Sequence, residues 1–197
     1  MGHGCVFYMR TQPLEHLTLL AVNFLQYEAT LLDERKFEEW SELFDDAGTY
    51  WAPTTYDQAS PLTQVSIFYD DKRMMAQRIN RLRHERIHVQ SPYSRTMHMV
   101  SNVRVMSGID EAGHFSVGSN FIMVEYQPAV PEGRQRMFAG FYSHELSFDG
   151  GAEESLRIRR KKATLLNCDS TFKPAGALLL GPSESVKTAL LLKPGRC

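Results

Sequence analysis

The feature that most constrains this chain is a single change in the period of its apolar residues. In the first part they recur every three or four positions, and further on they alternate. Helices therefore come first and sheet afterwards, which is the order of an α+β fold and not of βαβ units. Residues 14–34 read as one helix, with Leu14, Leu17, Leu20, Ala21, Phe24, Leu25, Glu28, Leu31 and Leu32 mostly on one stripe. A second helix follows, with Phe37, Trp40, Leu43 and Phe44 on one face and Glu38, Glu39 and Glu42 turned away. Asp45-Asp46-Ala47-Gly48 has the turn and C-cap chemistry to end it. Thr49-Tyr50-Trp51 reads as a short strand and residues 57–63 as a loop. A third helix begins near Asp70-Asp71 and runs through Met74, Met75, Ile79 and Leu82. Its outer face carries Lys72, Arg73, Arg78, Arg81 and Arg83, and it must end before Ser91-Pro92.

The alternating part predicts four long strands. In the first, 98–106, Met99, Ser101, Val103 and Val105 share a face. The others span 115–126, 136–148 and 156–166, with Arg157, Arg159 and Lys161 of the last set against Leu156, Ile158 and Arg160. Asp110-Glu111-Ala112-Gly113, the Pro128–Gly133 stretch and Asp149-Gly150-Gly151 separate them, so they form an antiparallel meander. Such a sheet needs its apolar face covered, and three amphipathic helices can cover it. The expected architecture is a strongly curved sheet wrapped on helices, the cone of nuclear transport factor 2 (the cystatin-like shape). Residues 1–13 read as an N-terminal extension and 14–172 as one domain. Residues 173–197 read as a C-terminal extension with two short apolar runs and little to hold it in place.

Charge and cysteine content exclude several classes. The formal net charge of -1 gives no general attraction to nucleic acid or an anionic membrane. No apolar run approaches the ~18 residues of a membrane span. Met1 to Arg10 lacks a basic region followed by an apolar run, so no secretory signal is expected. Three scattered cysteines, Cys5, Cys168 and Cys197, make no disulfide framework and fit a cytoplasmic location.

Two patterns could carry chemistry. His84-Glu85-Arg86-Ile87-His88 matches the spacing that puts two imidazoles on one zinc with a glutamate as base. Its context argues against a metal, because it ends a basic helix and is followed by Pro92 and sheet. His98, Tyr50, Asp45, Asp46 and His144 could line the mouth of a cone, where His98 with Asp45 or Tyr50 would suit an isomerase or dehydratase. Against this stands the reading of Tyr50 as a core aromatic and His98 as a satisfied strand histidine. An empty cone binding a small molecule is a further alternative. The close Cys-His pairs of a Rieske cluster and a glycine-rich phosphate loop are both missing from the sequence. Acidic residues concentrate between Glu28 and Asp46 and basic ones between Lys72 and Arg104, which would pair either inside the fold or between subunits.

Five motifs stand out: the helix junction from Glu28 to Trp40, Tyr50-Trp51-Ala52-Pro53, Tyr69-Asp70-Asp71-Lys72, Ser94-Arg95-Thr96-Met97-His98-Met99-Val100-Ser101-Asn102-Val103-Arg104-Val105 and Arg159-Arg160-Lys161-Lys162. Through them, from about Leu20 to Asp169, the chain resembles the β subunits of aromatic-ring-hydroxylating dioxygenases. Within that family Pro61-Leu62-Thr63-Gln64-Val65-Ser66-Ile67-Phe68-Tyr69 looks closer to members acting on aromatic carboxylates, such as the benzoate or anthranilate types. The resemblance implies the cone fold and assembly with a catalytic α subunit as an α3β3 hexamer. The Rieske 2Fe-2S cluster and the mononuclear Fe(II) are then expected in the α subunit, with no cofactor in this chain. A reductase, with or without a ferredoxin, would deliver NADH electrons to α, and the complex would turn an aromatic ring into a cis-dihydrodiol with O2. The residues expected to matter are structural. Arg95, His98, Ser101 and Asn102 would hold the start of the sheet, and Trp51 with the third-helix arginines would meet neighbouring chains. No catalytic or metal-binding residue is expected here.

Overall fold

A computed structural model describes residues 14–83, 93–128, 131–148 and 155–169. The His84–His88 pattern, the Pro92 and Asp149–Gly151 turns, Cys5, Cys197 and both terminal extensions lie outside the described residues. The elements are α1 (Leu14–Asp33), α2 (Phe37–Glu42), β1 (Phe44–Pro53), β2 (Ser66–Asp71), α3 (Lys72–Arg83), β3 (Arg95–Val105), β4 (His114–Gln127), β5 (Arg134–Phe148) and β6 (Leu156–Leu165). The sheet order is β2-β1-β6-β5-β4-β3. β3 to β6 form the expected antiparallel meander, and β1 joins it parallel to β6 and antiparallel to β2.

α1 lies across the inner face of the sheet and packs on β3. Its stripe of Leu17, Leu20, Ala21, Leu25, Glu28 and Leu31 is buried. The helix stops without a glycine. Arg35 takes a left-handed φ of 60°, and Lys36 and Arg35 return their N–H groups to the Leu31 and Leu32 carbonyls. Its guanidinium stacks between Phe37 and Tyr93, which holds the next helix at a fixed angle. α3 starts as its sequence predicts, with Asp71 accepting the Met74 N–H at 2.7 Å. The inner face of the sheet supplies Phe115, Val117, Phe121, Met123, Phe138, Tyr142, Leu146 and Ile158 to the core.

Two local expectations are corrected and one strand is added. First, residues 45–48 do not form a turn after α2. They belong to β1, whose pairing with β6 is interrupted between Phe44 and Thr49. Gly48 is required there because a Cβ would lie 2.8 Å from the Asp45 and Ile158 carbonyl oxygens. Second, residues 66–71 form strand β2, which leads straight into α3. Its short, half-exposed edge position weakens the alternation that would reveal it. Third, two bulges reverse side-chain direction within strands. Between Ser101 and Arg104 the register slips, with Asn102 at φ 51°, so Met99 and Ser101 face outward while Val103 and Val105 pack inward. In β6, Ile158 pairs with Leu146 and Arg160 with Glu145, so Arg159 is the extra residue. Lys161 therefore turns inward and is 1% exposed.

Candidate functional site

The inward turn of Lys161 creates a group of charges at the heart of the described fold. Its Nζ donates to Glu28 Oε1 at 2.6 Å. Trp40 Nε1 donates to the same oxygen at 3.1 Å. His144 Nε2 lies 3.2 Å from Glu28 Oε2. Lys161 Nζ also sits 4.4 Å from the centre of the Tyr142 ring and 5.1 Å from that of Tyr50. The cluster thus ties α1, α2, β1, β5 and β6 together. The Glu28, His144 and Lys161 side chains are 3%, 0% and 1% exposed, so bulk water does not reach them.

Burial by itself would push the Glu28 carboxyl up. The Lys161 charge and the hydrogen bond and charge of His144 reverse this and hold it well below its usual range. His144 is pushed the other way: burial, with Lys161, outweighs Glu28 and lowers its pKa from 6.5. The imidazole is therefore neutral and the carboxylate ionised. Since an ionised carboxylate only accepts, the proton of His144 is on Nε2. Burial, reinforced by Glu28 and Asp70, also raises the Tyr50 phenol far out of reach of neutral pH. Glu28 has three donors and no free oxygen to offer a substrate, so the cluster's chemistry is cohesion.

Both shifts act in the same direction on stability. A histidine whose folded pKa is depressed, and a carboxylate whose folded pKa is depressed, each cost stability as pH falls below the unfolded value. The melting temperature is expected to hold above pH 7 and to fall as pH drops below 6.5, the ordinary value for His144. The fall steepens below 4.5, the ordinary value for Glu28. A full proton corresponds to about 1.4 kcal/mol per pH unit. Melting curves of His144→Gln, which can still donate to Glu28, should lose the first part of the slope. An unchanged slope between pH 6.5 and 5 would refute the assignment to His144.

A second group lies at the end of α1. Asp33 Oδ1 is 2.6 Å from His98 Nδ1 and accepts from Thr96 Oγ1 at 2.8 Å, while Oδ2 accepts the His98 backbone N–H at 2.7 Å. Against the upward push of its burial, these bonds lower the Asp33 pKa. The pairing of His98 with Asp45 or Tyr50 does not occur. Asp45 accepts from Ser147 Oγ at 3.1 Å, and Tyr50 belongs to an aromatic cluster with Trp40, Phe44 and Phe68. Asp46 is exposed near Lys72, which also approaches Glu42, so part of the acidic and basic layout meets within the fold. Among the described residues no group of three or more histidine, cysteine or acidic side chains could hold a metal ion. Nor is any described helix long and apolar enough to cross a membrane.

The remaining singled-out residues are spread along the sheet. Arg95 opens β3 with its guanidinium 5.1 Å from the Tyr126 ring centre, and Ser101 and Asn102 are exposed at the bulge. Trp51 is 4% exposed. Its indole donates to Ser66 Oγ at 2.9 Å, and Lys162 stacks over it at 4.3 Å while donating to the Gln58 carbonyl. The indole is thus covered by its own chain. An outward patch escaped sequence reasoning. Register sets Met97, Val124 and Met137 in one row across β3, β4 and β5, and Met99, Ile122 and Ala139 in the next. Met97, Met99 and Met137 are all more than half exposed. The β-sheet alternation carried that signal, since Met97 and Met99 fall two apart.

The chain matches the family described as "Ring hydroxylating beta subunit" over residues 27–170. It is 37% identical over 159 residues to the 2-halobenzoate 1,2-dioxygenase small subunit of Burkholderia cepacia, covering 78% of this chain and 91% of that one. It is 33% identical over 89 residues to the benzoate 1,2-dioxygenase subunit beta of Acinetobacter baylyi, covering 43% of this chain and about half, 53%, of that one. A naphthalene 1,2-dioxygenase structure with indole bound in its active site superposes with a TM-score of 0.65 at 14% identity, over 79% of this chain and 81% of the other. That likeness is one of fold.

Proposed function

The chain belongs to the family of ring hydroxylating beta subunits, and from that membership we propose a scaffold role for it beside a catalytic α subunit. It is the small subunit of a multicomponent aromatic-ring dioxygenase, an oxidoreductase. The observation that supports a scaffold is the cluster around Glu28. The polar groups that a cone-fold enzyme would turn toward a substrate are here spent on one another and closed off from bulk solvent.

In this reading three copies join three α subunits in an α3β3 hexamer. The Rieske 2Fe-2S cluster and mononuclear Fe(II) reside in α, and a reductase, with or without a ferredoxin, passes NADH electrons to α in the cytoplasm. The complex forms a cis-dihydrodiol with O2. Similarity to the 2-halobenzoate and benzoate subunits supports an aromatic carboxylate as its substrate. Residues 14–172 form the subunit domain, with extensions on either side. Arg95, His98, Ser101 and Asn102 hold β3, the edge strand, and Trp51 acts through the loop that covers it.

Co-expression with the large subunit tests this. The expected product is a complex near the α3β3 mass in which all iron follows the large chain, with ring oxidation lost when either chain is left out. A small chain that stays alone, folded and able to convert an aromatic or hydroxylated substrate by itself would overturn the reading. The isomerase or dehydratase alternative would then apply.

A further inference from the structure

We propose that the interior of the cone binds one water molecule between β4 and β5, held by Ser119 Oγ and His144 Nδ1. Ser119 is 3% and His144 1% exposed, and neither of these two atoms meets a hydrogen-bond partner in the protein. Buried polar atoms left bare are rare, because each loses its hydration for nothing in return. Two on diagonally neighbouring residues point to a shared guest.

Register places the two residues side by side on one face. Val117 pairs with His144 and Ser119 with Tyr142, so Ser119 and His144 are diagonal neighbours on the inner face. Their chemistry then selects the guest. The Nε2 proton of His144 is directed to Glu28, 3.2 Å away, which leaves Nδ1 as a bare acceptor. The Ser119 hydroxyl can donate or accept. A guest must therefore give a proton to nitrogen and meet a hydroxyl. Water does both. An anion has no proton to give, and a cation would face the buried Lys161 ammonium on the far side of Glu28. Water also fits the general rule that interior waters bridge otherwise unsatisfied polar groups.

The water completes a chain of hydrogen bonds from Ser119 on β4 through His144 on β5 and Glu28 on α1 to Lys161 on β6 and Trp40 on α2. It also fixes the imidazole tautomer from the side opposite Glu28. This inference stands apart from the subunit partnership proposed above and does not depend on it.

A high-resolution crystal structure of the full chain, alone or in its complex, tests it directly. The expected result is a density peak within about 2.7–3.2 Å of both Ser119 Oγ and His144 Nδ1. Oxygen-17 relaxation dispersion should show that Ser119→Val, whose second methyl takes the water's place, holds one long-lived water fewer than the unaltered full chain. A direct bond between Ser119 Oγ and His144 Nδ1 in the density would overturn the proposal. So would a dispersion amplitude that Ser119→Val leaves unchanged. If that variant does not fold, the density of the unaltered chain decides alone.

Discussion

Lys161→Met is expected to lower stability by about 3–5 kcal/mol, the usual cost of stripping one partner from a buried ion pair. The replacement keeps length and apolar packing against Tyr50 and Tyr142 but leaves the Glu28 carboxylate in a sealed interior. Trp40 and His144 alone then face it. For a chain of this size that corresponds to a fall in melting temperature of roughly 10 °C. The Lys161 charge is one of the influences holding His144 down, so the variant should also bind a proton on His144 at higher pH than the parent. The double variant Glu28→Leu/Lys161→Met should recover much of the loss, because it removes both charges together. Urea unfolding at neutral pH measures all three. A loss below about 1 kcal/mol for Lys161→Met would mean that Glu28 finds water or another cation, and that the cluster does not hold its five elements together.

Gly140→Ala should be as damaging, for a reason of space and not of charge. Gly140 pairs with Leu165 at the end of the β5–β6 ladder. A Cβ there would stand 2.1 Å from the Thr164 carbonyl oxygen and 3.0 Å from both Leu165 Cα and Phe121 Cε1. Two of these are backbone atoms that cannot rotate away, so the strands must part. Overpacking a core costs about 1–3 kcal/mol, and contact with backbone places this change at or above the upper end. Gly118→Ala is the control, since its new methyl would meet only the flexible Met106 side chain, at 3.4 Å. Thermal melts should separate the two by roughly 6 °C or more, taking about 2–4 °C per kcal/mol. Equal melting temperatures would show that β5 and β6 can separate without cost.

Much of the fold was legible in local pattern. The stripe of α1, the Asp71 cap of α3 and the meander β3 to β6 all follow from spacing within a few residues, because helix and strand periods are local properties. Trp40 was legible as a buried aromatic, and its partner Glu28 stood out as the one carboxylate on the apolar stripe. What remained hidden was the cation that answers it. Lys161 lies 133 positions away in a strand whose charges alternate as if all faced water. One extra residue, Arg159, reverses that alternation, and nothing in the spacing of β6 marks where the bulge falls. The same holds for Val103 and Val105 beyond the Asn102 bulge.

The division between sequence and tertiary structure follows from range. By itself the sequence determined the order of helices and strands, the apolar content of each face within an unbroken stretch, and the motifs that tie the chain to its family. Those depend on backbone periods and side-chain types that neighbours a few residues apart express. Tertiary structure alone decided which of two strand faces turned inward past each bulge, and whether His98 met Asp33 or Asp45. It alone decided that Glu28, His144 and Lys161 would share one buried interior. A one-residue slip exchanges the two faces of a strand at almost no local cost, so only the pairing strand and the packed helix could settle it.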